Sequence, residues 1–156
     1  MFMRFFLKVD WEQDIKVEVL QNANRIHPVE ELQGVKLLAE RDIAMLKLMA
    51  CANRAAQKDV YDLDFITDRV PLKTLMQELR EKEARLGDDS NKTIFDLEGE
   101  ISPTQDPTLL LKFDQSKSAD KKLPGHSNQL FKILPGYRSW MFAGSSWRRK
   151  VKRYSP

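Results

Sequence analysis

Residues 40–68 read ERDIAMLKLMACANRAAQKDVYDLDFITD, and the fold is decided by how this stretch divides. Its first part, IAMLKLMACA at 43–52, is apolar at every position but Lys47. A helix that is apolar all round is normally buried. Asp42 stands where a side-chain carboxylate can accept from the orphan N–H groups of a first turn, so the spacing predicts an N-cap there and a helix to about Asn53. The run from Arg54 to Lys58 is a polar break. Beyond it, Val60, Leu63 and Ile66 recur at helical spacing and predict a second helix over about Asp59 to Ile66. A third helix is expected from Leu72, just after Pro71, to about Arg85, with Leu72, Leu75, Met76 and Leu79 on its inner stripe.

Outward from this helical centre the pattern changes. Upstream, RFFLKVD at 4–10 and IKVEVL at 15–20 are short and β-rich, with 11–14 as a hairpin connection. In the second segment Ile15, Val17 and Val19 point one way and Lys16, Glu18 and Leu20 the other. Residues 21–34 read as a polar loop, and 34–39 as one more short strand. Downstream, 86–107 is rich in Gly, Asp, Ser, Asn and Pro and reads as a long connection. TLLLKFD at 108–114 is a short buried element. The tail predicts a helix over 147–154, with Trp147, Val151 and Tyr154 inward and Arg148, Arg149, Lys152 and Arg153 toward solvent. Strands followed by helices make an α+β fold: short N-terminal antiparallel strands, then a helical bundle. One domain spans 1–156, with strands and loop at 4–39, helices at 40–86 and a loop-rich C-terminal region with its basic helix at 87–156.

Composition bounds the function. At 156 residues and 42% apolar content the chain can bury one modest core. The net charge of +3 is too small to imply nucleic acid by itself, but the basic residues concentrate in SWRRKVKRYSP at 146–156, which holds no acid. A lone cysteine, Cys51, excludes an intramolecular disulfide framework and fits a reducing compartment. Arg4, Lys8 and Asp10 interrupt the apolar start before a signal-peptide core can form, and no stretch approaches the roughly 20 apolar residues of a membrane span. A cytoplasmic protein with no membrane partner is expected.

Lys47 is the residue whose position asks for an explanation. An ammonium inside an apolar helix loses hydration and needs an anion or a route to solvent. The candidates are an ion pair with Glu18, Asp59 or Asp62, snorkelling along its own stem, or a ligand phosphate. Glu18, mid-strand between two valines, is either a solvent-facing residue or a rigidly held metal ligand. Asp62 and Asp64 spell D-x-D, but on a helix the two diverge by about 200°, whereas Asp59 and Asp62 share a face. His27 and His126 sit in polar loops and read as surface residues. Cys51 reads as a small core residue. Gly144, Ser145 and Ser146 suggest a phosphate-binding turn, but too little chain follows for the strand pair that should come next.

The segment GVKLLAERDIAMLKLMA at 34–50, followed by NRAAQKDVYDLDFI at 53–66, resembles the AbiEii/AbiGii nucleotidyltransferase toxins. In that family a short strand leads into D-I-A-x-x-K-L and then R-G-x-K-(R/K)-D-F-x-D-L-Y-F-L. IKVEVL at 15–20 resembles the family's I-K-V-D strand. LLLKFDQSKSADKKLP at 109–124 and SSWRRKVKRY at 145–154 resemble its later segments more loosely. The resemblance implies a remnant of a nucleotidyltransferase fold and, in intact members, transfer of a nucleoside monophosphate from an NTP to an acceptor such as tRNA, with Mg²⁺, opposed by a cognate antitoxin protein. It places Lys47, Arg54 and Lys58 at the nucleotide, Glu18, Asp59 and Asp62 among the catalytic carboxylates, and Glu18 at the metal.

Glu18 stands for the family's aspartate, Ala55 for its glycine and Asp64 for an aromatic residue. The family's Gly-Ser turn followed by D-x-D on a strand belongs upstream of residue 1. The expectation is therefore a truncated homologue, inactive as this chain. The alternative is a non-catalytic module that uses its basic C-terminus on RNA or a protein.

Overall fold

The computed structural model describes residues 2–8, 14–20, 24–54, 56–86, 101–114 and 133–154. The fold is mixed α+β, with two small antiparallel sheets and a set of packed helices. Strands β1 (Phe2–Lys8) and β2 (Asp14–Leu20) form the first sheet, in a register that sets Arg4 opposite Glu18 and Phe5 opposite Val17. Strands β3 (Glu30–Leu32) and β4 (Val35–Leu37) form the second. The polar loop expected over 21–34 thus contains β3, and the strand expected over 34–39 is the shorter β4. Their two-residue connection, Gln33 and Gly34, has φ of 51° and 79°. Positive φ at both central positions matches the right-handed twist of a tight hairpin, and glycine adopts it without a steric penalty.

Among the described residues four α-helices follow: α1 (Glu40–Arg54), α2 (Gln57–Ile66), α3 (Leu72–Leu86) and α4 (Trp140–Tyr154). TLLLKFD lies in a 3₁₀ helix, Pro107–Asp114. Its start is fixed by Asp106, whose carboxylate accepts from the Thr108 N–H at 3.0 Å and the Thr108 hydroxyl at 2.6 Å. Helix α1 is the hub. It packs on α2, α3 and the 3₁₀ helix, while α4 packs on α2, α3 and the 3₁₀ helix in turn. The core joins Met45 and Leu48 of α1, Val60 and Leu63 of α2, Leu75 and Met76 of α3, Leu110, and Trp147 and Val151 of α4.

The expected inner stripe of α3 holds residue for residue, since Leu72, Leu75, Met76 and Leu79 are all buried. Three expectations are corrected. Asp42 is not an N-cap: the helix begins at Glu40, and the buried Asp42 carboxylate reaches back across the chain to accept from the backbone N–H groups of Ile26 (2.9 Å) and His27 (3.0 Å). It ties the segment before the second sheet to α1. His27 is not a plain surface residue, because its ring nitrogen lies 3.4 Å from Glu78, which also binds Arg41. The terminal helix begins at Trp140 rather than Trp147, so Gly144, Ser145 and Ser146 are helical and form no phosphate-binding turn. A Cβ at Gly144 would meet the rings of Phe113 and Trp140 at 3.6 Å, so this position favours a small residue for packing. His126 lies outside the described residues.

No helix among the described residues is long and apolar enough to cross a membrane. The β1–β2 hairpin shares no substantial interface with any described helix.

Candidate functional site

The break between α1 and α2 lets the two helices return side by side, and Lys47 meets the start of α2 there. Its ammonium lies 3.5 Å from the buried Asp59 carboxylate and 2.5 Å from the half-exposed Asp62. Asp59 and Asp62, one turn apart, share the face turned toward α1. Of the anions open to Lys47 in the sequence, these two hold it and Glu18 does not. The cost of a cation in an apolar helix is offset by one dehydrated carboxylate and one hydrated one. Snorkelling contributes too, since about a quarter of the Lys47 side chain stays exposed.

Asp59 also acts on Cys51. Burial and the negative charge of Asp59 push its thiol up to about 12, which makes it an inert core residue. Lys58, beside Asp59, is exposed. The Arg54 side chain lies outside the described residues.

Glu18 is placed elsewhere. Its carboxylate accepts from Arg4 Nε at 2.8 Å across the hairpin and from Lys16 Nζ at 3.2 Å along its own strand. Partial burial opposes its ionisation, but the hydrogen bonds from Lys16 and Arg4 prevail and hold the carboxyl below its ordinary value. With its hairpin apart from α1 and α2, Glu18 does not join Asp59 and Asp62. Among the described residues no group of three or more His, Cys, Asp or Glu side chains is placed to hold a metal ion. Glu18, the carboxylate that the resemblance places at Mg²⁺, is paired with Arg4 and Lys16, and Asp59 and Asp62 are paired with Lys47.

A second charged cluster carries no signal in the sequence. Asp64, with no exposed side-chain surface, is bound through Oδ2 to Arg138 and through Oδ1 to Lys150, at 2.7 and 2.8 Å. Asp68 binds the same two cations, Lys150 at 2.7 Å and Arg138 as well. Lys150 further donates to the Asp64 carbonyl at 2.7 Å and the Thr67 hydroxyl at 3.1 Å. This network clamps α4 and the segment before it onto the end of α2. The hydrogen bond from Lys150 dominates in holding the Asp68 carboxyl below its ordinary value, and Asp68 in turn raises the Arg138 guanidinium.

No family model, curated protein or solved structure matches this chain. The site therefore rests on its own geometry. That geometry has two parts: the Lys47 cluster at the α1–α2 junction, and the basic surface of α4. On α4, Arg149, Lys152 and Arg153 are exposed, whereas the half-buried Arg148 lies 5.7 Å over the Phe113 ring. This corrects the expectation that Arg148 faces solvent. Trp147 and Val151 are buried and Tyr154 packs at the core's edge, as the spacing predicts. A cavity of about 490 Å³ between the start of α3 and α4 is bordered by Lys73, Lys150, Arg153 and Tyr154.

Proposed function

We propose that this chain is a relative of the AbiEii/AbiGii nucleotidyltransferase toxins that keeps the helical, phosphate-facing part of that fold and does not transfer nucleotides by itself. The observation that supports the reading best is the Lys47 cluster. The two segments that carry the resemblance, 34–50 and 53–66, are joined at their charged residues, with Lys47 of one held between Asp59 and Asp62 of the other. In this reading Lys47 is the phosphate lysine, the resemblance adds Arg54 and Lys58 to the nucleotide-binding residues, and Asp59 and Asp62 occupy Lys47 when no triphosphate is present. Glu18 is the remnant of a metal-side carboxylate, tied up by Arg4 and Lys16. No metal-dependent step is assigned to these residues. The acceptor proposed is tRNA, supported by the exposed cations of α4, whose contacts to phosphates would release counterions. A cognate antitoxin remains part of the proposal through the resemblance alone.

The proposal makes Asp62 a competitor of triphosphate for Lys47. Removing one charge paired with a cation in a water-like setting is worth on the order of 1 kcal/mol, or about fivefold in affinity. Titrating ATP by calorimetry is therefore expected to show about fivefold tighter binding to Asp62→Asn than to the unmodified chain, and loss of that gain when Lys47→Met is added. Equal affinities in all three proteins would reject Lys47 as a phosphate lysine.

A further inference from the structure

We infer that two copies of this chain associate edge to edge through β2, forming a four-stranded sheet about a twofold axis at Val17. The hairpin is strongly two-faced. On one side stand Met3, Phe5 and Leu7 opposite Val19, Val17 and Ile15, on the other Arg4 opposite Glu18 and Phe6 opposite Lys16. Most of the apolar side is exposed: Met3 is 47% exposed, Leu7 48%, Ile15 49% and Val19 41%, while Val17 is half-buried. Among the described residues each strand of this sheet has one neighbour, so each presents an open edge of backbone donors and acceptors. A two-stranded sheet is marginal in water, and three or more strands sharing an apolar face are what make one stable.

Charge decides both which edge pairs and with what. Strand β1 carries Arg4 and Lys8 and no acid, so two copies of it can form no ion pair with each other. Strand β2 alternates charge around Val17, with Lys16 on one side and Glu18 on the other. Antiparallel pairing with Val17 opposite its own copy sets each Lys16 against Glu18 of the second copy, and Ile15 against Val19. A slip of one residue turns the apolar face of one copy to the charged face of the other. A slip of two sets Lys16 against Lys16 or Glu18 against Glu18. The Val17-centred register alone satisfies both the pleat and the charges, and it is self-complementary, as a twofold interface requires. The occupant that fits this edge is a second copy.

Sedimentation equilibrium of the 156-residue chain tests this. The expected species is a dimer, at twice the 18.2 kDa chain mass. Lys16→Glu and Glu18→Lys should each weaken self-association at least about tenfold, because both symmetry-related pairs become like-charged. Mixed in equal amounts, the two variants should form a heterodimer, since the two carboxylates that one presents at these positions then face the two ammonium groups of the other. Hydrogen exchange of the cross-strand amides of β1 and β2 establishes that the hairpin of each variant is folded. A monomeric unmodified chain at all concentrations overturns the inference. So does self-association that both reversals leave unchanged, or folded variants that remain monomers when mixed.

Discussion

Replacing Asp64 by alanine is expected to destabilise the fold by about 3–5 kcal/mol, the range for removing one partner of a buried ion pair. The Asp64 side chain has no exposed surface, and its two oxygens separately hold Arg138 and Lys150, each mostly shielded from water. Without it, Asp68 is the carboxylate left to both cations among the described residues, and the small alanine leaves a gap at the junction of α2 and α4. Asp68→Ala is the internal control. Asp68 binds the same cations but is 39% exposed, so water and Asp64 replace it and the loss should be about 1 kcal/mol or less. Urea unfolding at neutral pH separates the two, and a loss below about 1 kcal/mol for Asp64→Ala would show that the network contributes little to stability.

The same network has a pH signature. Asp68 is more acidic folded than unfolded, so its contribution is fully present above the ordinary aspartate value of about 3.9 and is lost as pH falls through its lower folded-state value. Stability of Asp68→Ala should therefore fall less steeply with acid below about pH 4.

Trp147→Ala is expected to cost about 3–5 kcal/mol, the range for deleting a fully buried large aromatic side chain. Trp147 is the largest fully buried side chain among the described residues, and its indole N–H donates to the Leu110 carbonyl at 3.0 Å, fastening α4 to the 3₁₀ helix. The Cys51 thiol, 3.9 Å from that same carbonyl, is a weak donor and a poor substitute. Trp147→Phe keeps much of the volume and removes the donor, so about 1–3 kcal/mol should be lost. If Trp147→Ala and Trp147→Phe destabilise equally, the hydrogen bond rather than the packing holds the helix.

How much of this is legible in the sequence depends on whether the deciding contacts are local. The stripe of α3 and the inward positions 147 and 151 of α4 follow from helical periodicity, and the structure buries them. Lys47 is legible as a cation in need of an anion, and Asp59 and Asp62 are among its candidates because they share a helix face. Glu18 is equally plausible by composition but is held on the hairpin by Arg4 and Lys16. The Asp64 network is not legible: Lys150 lies 86 positions away in a run of like charges that gives no sign of turning inward. Gly144, Ser145 and Ser146 suggest a turn by composition, whereas the place of Gly144 in α4, against the Phe113 and Trp140 rings, is set by packing that composition does not show. Asp42 carries a local signal for a cap, and a long-range contact to residues 26 and 27 takes its carboxylate instead.

On the proposed reading, these residues keep the phosphate lysine of a nucleotidyltransferase without a usable set of metal-binding carboxylates. Incubating the purified 156-residue chain with α-labelled nucleoside triphosphates, Mg²⁺ and a tRNA pool tests this most directly. No label is expected in RNA or protein, from the unmodified chain or from Lys47→Ala. Incorporation by the unmodified chain that disappears in Lys47→Ala would contradict it.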